Sequence, residues 1–143
     1  MVFGYANLTM QSIEEKLDNH HLAGFAKKLA ATDHIVATTQ RLPKVVSLSV
    51  GGESAKHVVQ AVSSGKADRT RYANLWEEQV VFFEGTNRLG EILLDAGLFM
   101  ADGRQYRDSS YRPIANGGSG TLNDSIFIPL VNLELKAQGL QND

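Results

Sequence analysis

The chain has 143 residues, of which 43% are hydrophobic and 21% are charged, and its net charge is −2. These values are typical of one globular domain with its own hydrophobic core. The chain contains no cysteine, which excludes disulfides, thiol nucleophiles and cysteine-ligated metal sites. The small net charge favours neither nucleic acid nor a membrane surface as a partner.

Hydrophobic runs in the sequence are much shorter than the roughly 18 to 20 residues of a membrane helix. Residues 1–10, MVFGYANLTM, lack the basic start of a signal peptide. We therefore expect a protein that is neither exported nor inserted in a membrane. The same ten residues are too apolar for a free tail, so we expect an N-terminal arm that contacts another surface through Phe3 and Tyr5.

An amphipathic helix is predicted over residues 11–32. Ser12 and Glu15 have the spacing of a capping box, which marks the start of a helix. A hydrophobic or aromatic side chain then recurs every four residues, at Ile13, Leu17, His21, Phe25 and Leu29. Gly24 costs about 1 kcal/mol relative to alanine inside a helix, so it indicates either close packing or a break.

Two strands and a second helix are predicted next. Residues 34–40 and 44–50 are rich in β-branched side chains, which favour strands. In the second strand apolar residues alternate with serines, in the order Val46, Ser47, Leu48, Ser49, Val50. Residues 53–64 have apolar side chains at helical spacing and predict a short helix. Residues 66–78 are polar and fit either a helical turn begun at Asp68 or a loop.

The segment from residue 79 to residue 136 has the pattern of an antiparallel sheet. Apolar stretches alternate with turn residues in the order QVVFFE, GTN, RLGEILLDAGLFM, ADG, RQYRDSSYRPI, ANGGSGTLND and SIFIPLVNLELK. Asp102-Gly103 is a preferred hairpin turn, and the glycine-rich stretch suits a long connection. The segment therefore predicts a β-sandwich or a barrel-like sheet.

The closing stretch, residues 125–136, is interpreted as the last strand. Its odd positions are apolar throughout, and its even positions are apolar as far as Asn132. Pro129 has no N–H for a sheet ladder, so it places this strand at an edge or at a bulge. An edge strand that is apolar on both faces needs a cover, which a neighbouring subunit could supply. A bulge inside one monomeric sandwich is the other interpretation.

Together these elements predict one α+β domain. It would consist mainly of an antiparallel β-sandwich or barrel-like sheet, with an N-terminal amphipathic helix and a short second helix. The boundaries are an apolar arm at 1–10, a helix at 11–32, mostly β structure at 33–136 and a polar tail at 137–143.

No residue is predicted to be catalytic, to bind a cofactor or to hold a metal, and we expect a protein that is not an enzyme. His20 and His21 project about 100° apart on a helix and cannot chelate together as an i, i+4 pair would. Ser119 lies in GGSGT, which lacks the second glycine of a nucleophile elbow. The aspartates between 95 and 124 do not have calcium-loop spacing. A small enzyme that uses histidine and aspartate is the last alternative.

Basic and aromatic residues interleave at Arg104, Tyr106, Arg107, Tyr111 and Arg112. This composition suits a contact with a subunit or partner, and it can also stack bases or sugars. A plain solvated hairpin face is a third interpretation. Because the chain is slightly acidic, we favour the protein contact and expect no binding to nucleic acid.

The segment 79–136 resembles structural proteins from the tails, collars and necks of tailed bacteriophages. The matching pattern is a strand of the type Glu-x-Gly-Leu-Phe, an Asp-Gly turn, an aromatic or basic strand ending near a proline, and an alternating apolar strand. Its residues here are Gly97, Leu98, Phe99, Asp102, Gly103, Tyr111, Arg112, Pro113 and the stretch 126–135. This chain departs from the pattern before Gly97, where Asp95-Ala96 stands in place of the glutamate.

This resemblance implies a non-enzymatic building block that is made in the host cytoplasm and ends up in the virion. Its partners would be copies of itself and other virion structural proteins, without a cofactor or a membrane. A ligand-binding β module for carbohydrate or single-stranded nucleic acid is the alternative. The residues expected to contact subunits or partners are Phe3, Tyr5, Leu98, Phe99, Tyr106, Tyr111, Arg112, Ile126 and Ile128.

Overall fold

A seven-stranded antiparallel sheet forms the centre of the protein, and helices cover one of its faces. The structure is a computed structural model that describes residues 2–39, 45–70, 76–114 and 117–139. Within these ranges, the side chains of residues 2–12, 114 and 117 are outside the description. In chain order the elements are α1 (Val2–Lys28), β1 (His34–Thr39), β2 (Val46–Gly51), α2 (Gly52–Ser63), β3 (Lys66–Ala67), β4 (Glu78–Glu84), β5 (Asn87–Asp95), β6 (Leu98–Ala101), β7 (Arg104–Arg107), β8 (Arg112–Ile114), β9 (Gly117–Ser119), a π-type helical segment (Asn123–Phe127) and α3 (Ile128–Ala137).

The strands of the large sheet lie in the order β2-β1-β4-β5-β6-β7-β3, and all neighbours are antiparallel. Strands β4 to β7 form a meander of successive hairpins, whereas α2 connects the two outermost strands, β2 and β3. Strands β8 and β9 make a separate two-stranded hairpin. The fold is therefore α+β as predicted, but its sheet is open and is not the predicted sandwich or barrel.

One face of the sheet is buried under the helices. Cross-strand rows on this face place Leu48, Ala37, Val80 and Ile92 side by side, and Thr39, Glu78, Leu94, Phe99 and Tyr106 in the next buried row. The helices contribute Leu22, Phe25 and Leu29 from α1, Val58 and Val62 from α2, and Leu130 from α3 to the same core. The opposite face carries more polar residues, with Ser47, Thr38, Gln79, Leu93, Met100 and Gln105 in one row.

The predicted closing strand is wrong, because residues 123–137 are helical. The apolar residues of this stretch fit a helical period as well as a strand period. In the helix Ile126, Leu130 and the polar Glu134 are buried at four-residue intervals. Pro129 lies in the first turn of α3, where the π-type segment passes directly into the α-helix. Proline has no N–H to continue a helical ladder, so it lies where the hydrogen-bonding pattern of this helical stretch changes. The residue that favoured an edge strand is therefore part of a continuous helical stretch.

Two other boundaries also differ from the prediction. Helix α1 begins at Val2, so residues 2–10 continue the helix and do not form a separate arm. The expected strand over 88–100 is divided by a tight turn at Ala96-Gly97 into β5 and β6. The strands at 34–39 and 46–51 and the short second helix are confirmed. No helix in the described ranges has the length and hydrophobicity needed to cross a membrane.

Candidate functional site

Four of the predicted contact residues belong to the core of a single subunit. Phe99, Tyr106 and Ile126 are fully buried, and Leu98 is 9% exposed. The rings of Phe99 and Tyr106 stack with their centroids 5.4 Å apart. The prediction that these four residues contact another subunit is therefore wrong, because the protein's own helices and strands already cover them.

The other predicted contact residues have different surroundings. Tyr111 is half-buried against glycines of its own chain. Arg112 is exposed, and its guanidinium donates hydrogen bonds to the carbonyl oxygens of Ser109 (3.2 Å) and Tyr111 (3.0 Å). The side chains of Phe3 and Tyr5 lie outside the described residues. Ile128 is 42% exposed, so it remains available for a contact.

A network of ion pairs connects α1 to the β7 side of the sheet. The Asp18 carboxylate is almost buried, and its two oxygens form ion pairs with Nη2 of Arg69 at 2.9 Å and with Nε of Arg104 at 3.2 Å. Arg69 also contacts Glu14 at 3.1 Å. The Tyr106 hydroxyl donates to the Asp18 carbonyl oxygen at 2.7 Å. These contacts anchor the middle of α1 to the sheet.

This network borders an open cavity of about 400 Å³ that is also lined by Asp68 and Gln105. The charges around it compensate one another: Arg107 pairs with Asp68 at 3.1 Å, and the Gln105 amide donates to the Asp68 and Thr70 carbonyl oxygens. Because the side chains are committed to partners within the chain, we assign the cavity a structural role. Burial, and next the negative charge of Asp18, raise the pKa of Tyr106 to about 12.

A second cavity, of about 230 Å³, brings together the residue types of a nucleophilic triad: His57, Asp108 and Ser110 line it. The hydrogen bonds do not form a triad. One oxygen of Asp108 accepts from the Ser110 amide and hydroxyl, at 2.9 and 2.7 Å, and the other accepts from the Leu122 amide at 3.0 Å. Asp108 thus orders a turn and caps the first turn of the helical segment that leads to α3, and the Ser110 hydroxyl donates to it rather than to His57.

Two histidines pair with carboxylates on the surface. His21 Nε2 lies 2.9 Å from Asp102, and His34 Nδ1 lies 2.5 Å from Asp33. The His34 ring also stacks on Phe83. In each pair both side chains are at least one-third exposed, and no group of three possible metal ligands occurs in the described part of the chain. Sequence spacing could not indicate the first pair, because its members lie 81 residues apart.

Helix α3 is the element with the strongest indication of a partner. Its inner face is buried through Leu130 and Glu134. Ile128, Val131 and Leu135 lie beside this face, with the i, i+3, i+7 spacing of a helix-packing surface; we call them the outer stripe. Ile128 is 42% exposed, Leu135 is 36% exposed and Val131 is half-buried. Leu133, 38% exposed, lies on the other flank of the helix. The apolar surface of α3 is therefore wider than the face that the core covers.

Helix α1 has a similar exposed pair in its first half. Ile13 is 52% exposed and Leu17 is 61% exposed. They lie one helical turn apart, on the side of α1 facing away from the buried Leu22, Phe25 and Leu29. Single exposed apolar residues are normal on a protein surface, but clusters on two separate helices suggest contacts beyond one subunit.

Sequence analysis missed the surface that carries this indication because it placed residues 125–136 in a strand. The excess of apolar residues in that stretch did indicate a surface that needs a cover. In a helix, however, the residues that face the core and those that face solvent are not the ones expected for a strand. Ile126 goes to the core and Ile128 to the outside.

Comparison of the chain with protein-family models, with curated proteins and with solved structures found no match.

Proposed function

We propose that this protein is a non-enzymatic structural subunit of a tailed-phage virion, which associates with copies of itself and with neighbouring virion proteins. The observation that carries the proposal is the outer stripe of α3, where Ile128, Val131 and Leu135 extend the apolar surface of the helix beyond its buried inner face. Burying such a face against a partner removes apolar surface from water, which is the main driving force for association.

The polar clusters support the same proposal. The side chains around the larger cavity are paired within the chain, and the carboxylate of the smaller cavity caps a helix. Polar groups committed in this way hold the subunit in one shape, as a building block requires. The resemblance of residues 79–136 to phage tail, collar and neck proteins supports the virion as the location.

The ligand-binding alternative has lost most of its proposed surface. Tyr106 is buried, and Arg104 and Arg107 are paired with aspartates. Stacking of sugars or bases needs exposed aromatic rings, but the ring of Tyr106 is buried and that of Tyr111 is half-buried. We therefore propose the structural function alone.

Self-association is tested by native mass spectrometry and by light scattering at increasing protein concentration. The wild type is expected at multiples of its 15.6 kDa chain mass. Leu135→Glu places a charge on the outer stripe and is expected to shift the population at least tenfold toward the monomer. Ala23→Glu adds the same charge at an exposed position of α1 and is expected to leave the mass unchanged.

Location in a virion needs a separate measurement. Quantitative mass spectrometry of purified particles, produced by a phage that encodes this chain, is expected to find it in a fixed number of copies. A wild-type chain that stays monomeric at high concentration, or particles that lack it, would contradict the proposal.

A further inference from the structure

The two outer strands of the large sheet differ in how they are protected from pairing. Strand β3 has only two residues, and one of them is Lys66. Short edges and edge lysines are common ways in which proteins prevent strand pairing. Strand β2 has six residues, Val46–Gly51, without a charge or a proline. Within the described ranges no strand pairs with its outer side, so β2 presents a regular row of free backbone groups.

The sequence of β2 is the same in both directions from Val46 to Val50. It reads Val-Ser-Leu-Ser-Val, with Leu48 at the centre. An antiparallel pair of two identical strands reverses one copy relative to the other. Centred on Leu48, such a pair places Leu48 opposite Leu48, Ser47 opposite Ser49 and Val46 opposite Val50.

This register also keeps each side chain on its proper face. Val46, Leu48 and Val50 are half-buried on the helix-covered face, and Ser47 and Ser49 are exposed on the other. A shift by one residue would put valine or leucine opposite serine and mix the two faces. The register centred on Leu48 instead brings apolar residues together on one face and hydroxyls together on the other.

We propose that two copies of this chain pair antiparallel along β2, in the register centred on Leu48, to form a continuous sheet of fourteen strands across a two-fold axis. The partner is a second copy because the strand is complementary to itself, and a two-fold contact requires such a surface. This inference rests on the proposed self-association and specifies its surface. Helix α3 packs on β1 and β2, so pairing also brings the two α3 helices close to the same seam.

Disulfide trapping tests the register directly, and the natural absence of cysteine leaves no background. Ser47→Cys and Ser49→Cys are made as separate proteins, then mixed and mildly oxidised. In the proposed register the mixed pair is directly opposite, with Cβ atoms roughly 4.5 to 5.5 Å apart, whereas identical cysteines lie on a diagonal of roughly 7 to 8 Å. Only the first separation comes within a small backbone adjustment of the roughly 3.5 to 4.5 Å between the Cβ atoms of a disulfide.

The mixture is therefore expected to yield at least fivefold more cross-linked dimer, on a non-reducing gel, than either protein alone. A mixture of Ser47→Cys with Thr38→Cys is the matched control. Thr38 lies on the same sheet face, one strand further from the seam, and its cysteine should cross-link poorly.

Native masses of the same samples under reducing conditions separate the two proposals. Oligomers without preferential cross-linking of the mixture would overturn the β2 register and leave self-association standing. Monomers throughout would overturn both. Equal cross-linking in the mixture and in either single protein would show another register and would also overturn this one.

Discussion

The ring of Tyr111 lies directly against the backbone of Gly97, so closely that a Cβ atom at Gly97 would be 2.0 Å from Cδ1 and 2.6 Å from Cβ of the tyrosine. The hydroxyl end of the ring is close to Gly118, where an added Cβ would be 2.4 Å from the Tyr111 hydroxyl oxygen. The tyrosine thus packs along its length against two glycines of its own chain. This contact connects the β5–β6 turn to the β8–β9 hairpin.

Gly97→Ala is expected to destabilise the protein by about 1–3 kcal/mol, because the methyl group cannot fit without moving the Tyr111 backbone or ring. Gly24→Ala is the matched control. Gly24 is in the middle of α1 with no atom within 4 Å of an added Cβ, and alanine there should stabilise by up to about 1 kcal/mol. Chemical denaturation of both variants measures the difference. Equal effects of the two substitutions would contradict the packing described at Gly97.

Asp108→Asn is expected to lower the free energy of unfolding by about 1–3 kcal/mol. The buried carboxylate accepts from Ser110 on one oxygen and from the Leu122 amide on the other. In asparagine an NH2 group replaces one of the two carboxylate oxygens. One of the N–H or O–H groups that now donates to Asp108 would then face another donor. Ser109→Ala, at the exposed neighbouring position, is expected to change the free energy of unfolding by less than about 0.5 kcal/mol. Similar stabilities of the two variants would argue against the capping role of Asp108.

These residues illustrate how far the sequence could lead. Its β-branched stretches and turn residues were sufficient to predict β1, β2 and the hairpins β4–β5 and β6–β7, because local preferences and the final fold agree there. Gly97 was placed in a strand and Gly118 in a long connection. Their contact with Tyr111 depends on three separate parts of the chain and has no local signal.

Helix α3 shows a different limit. Both strand and helix periods fit residues 125–136, and Pro129 is compatible with an edge strand and with the first turn of a helix. Packing on β1 and β2 decides between them. The candidate association surface changed with that choice: the excess of apolar residues was predictable, but the side of the element on which each residue lies was not.

The raised pKa of Tyr106 should make the stability of the protein depend on pH in the alkaline range. This pKa is raised to about 12 by burial and by the charge of Asp18, against roughly 10 in an unfolded chain. The folded state therefore holds this proton more tightly, and the associated stability is complete below pH 10 and is lost as pH rises towards 12. Tyr106→Phe removes this contribution, so the stability difference between wild type and variant should shrink over that range. Denaturation at pH 8 to 11 measures it, and a constant difference would contradict the assignment.

Asp33 should titrate below its ordinary range. The hydrogen bond with His34, and next that from the Gly85 amide, lower its pKa from 3.8. The stabilisation is present above that pH and is lost as pH falls through the lowered value. In His34→Ala the midpoint of the Asp33 carboxyl, followed by NMR, should move up towards 3.8. An unchanged midpoint in that variant would show that His34 does not cause the shift.

The ion-pair network on α1 contains a buried carboxylate, Asp18, and an exposed one, Glu14, so their contributions to stability can be compared. Asp18 is 9% exposed and meets two arginines, whereas Glu14 is 49% exposed and meets one of them. Asp18→Asn is expected to cost about 1–2 kcal/mol, since it leaves Arg69 and Arg104 without their shared carboxylate; their partial exposure keeps the loss below that of a fully buried pair. Glu14→Gln should cost less than about 0.5 kcal/mol. Thermal and chemical unfolding at low salt and at 1 M salt distinguishes the two pairs, because salt screens the exposed pair more strongly. Equal losses for both substitutions would mean that Asp18 is no more than a surface charge.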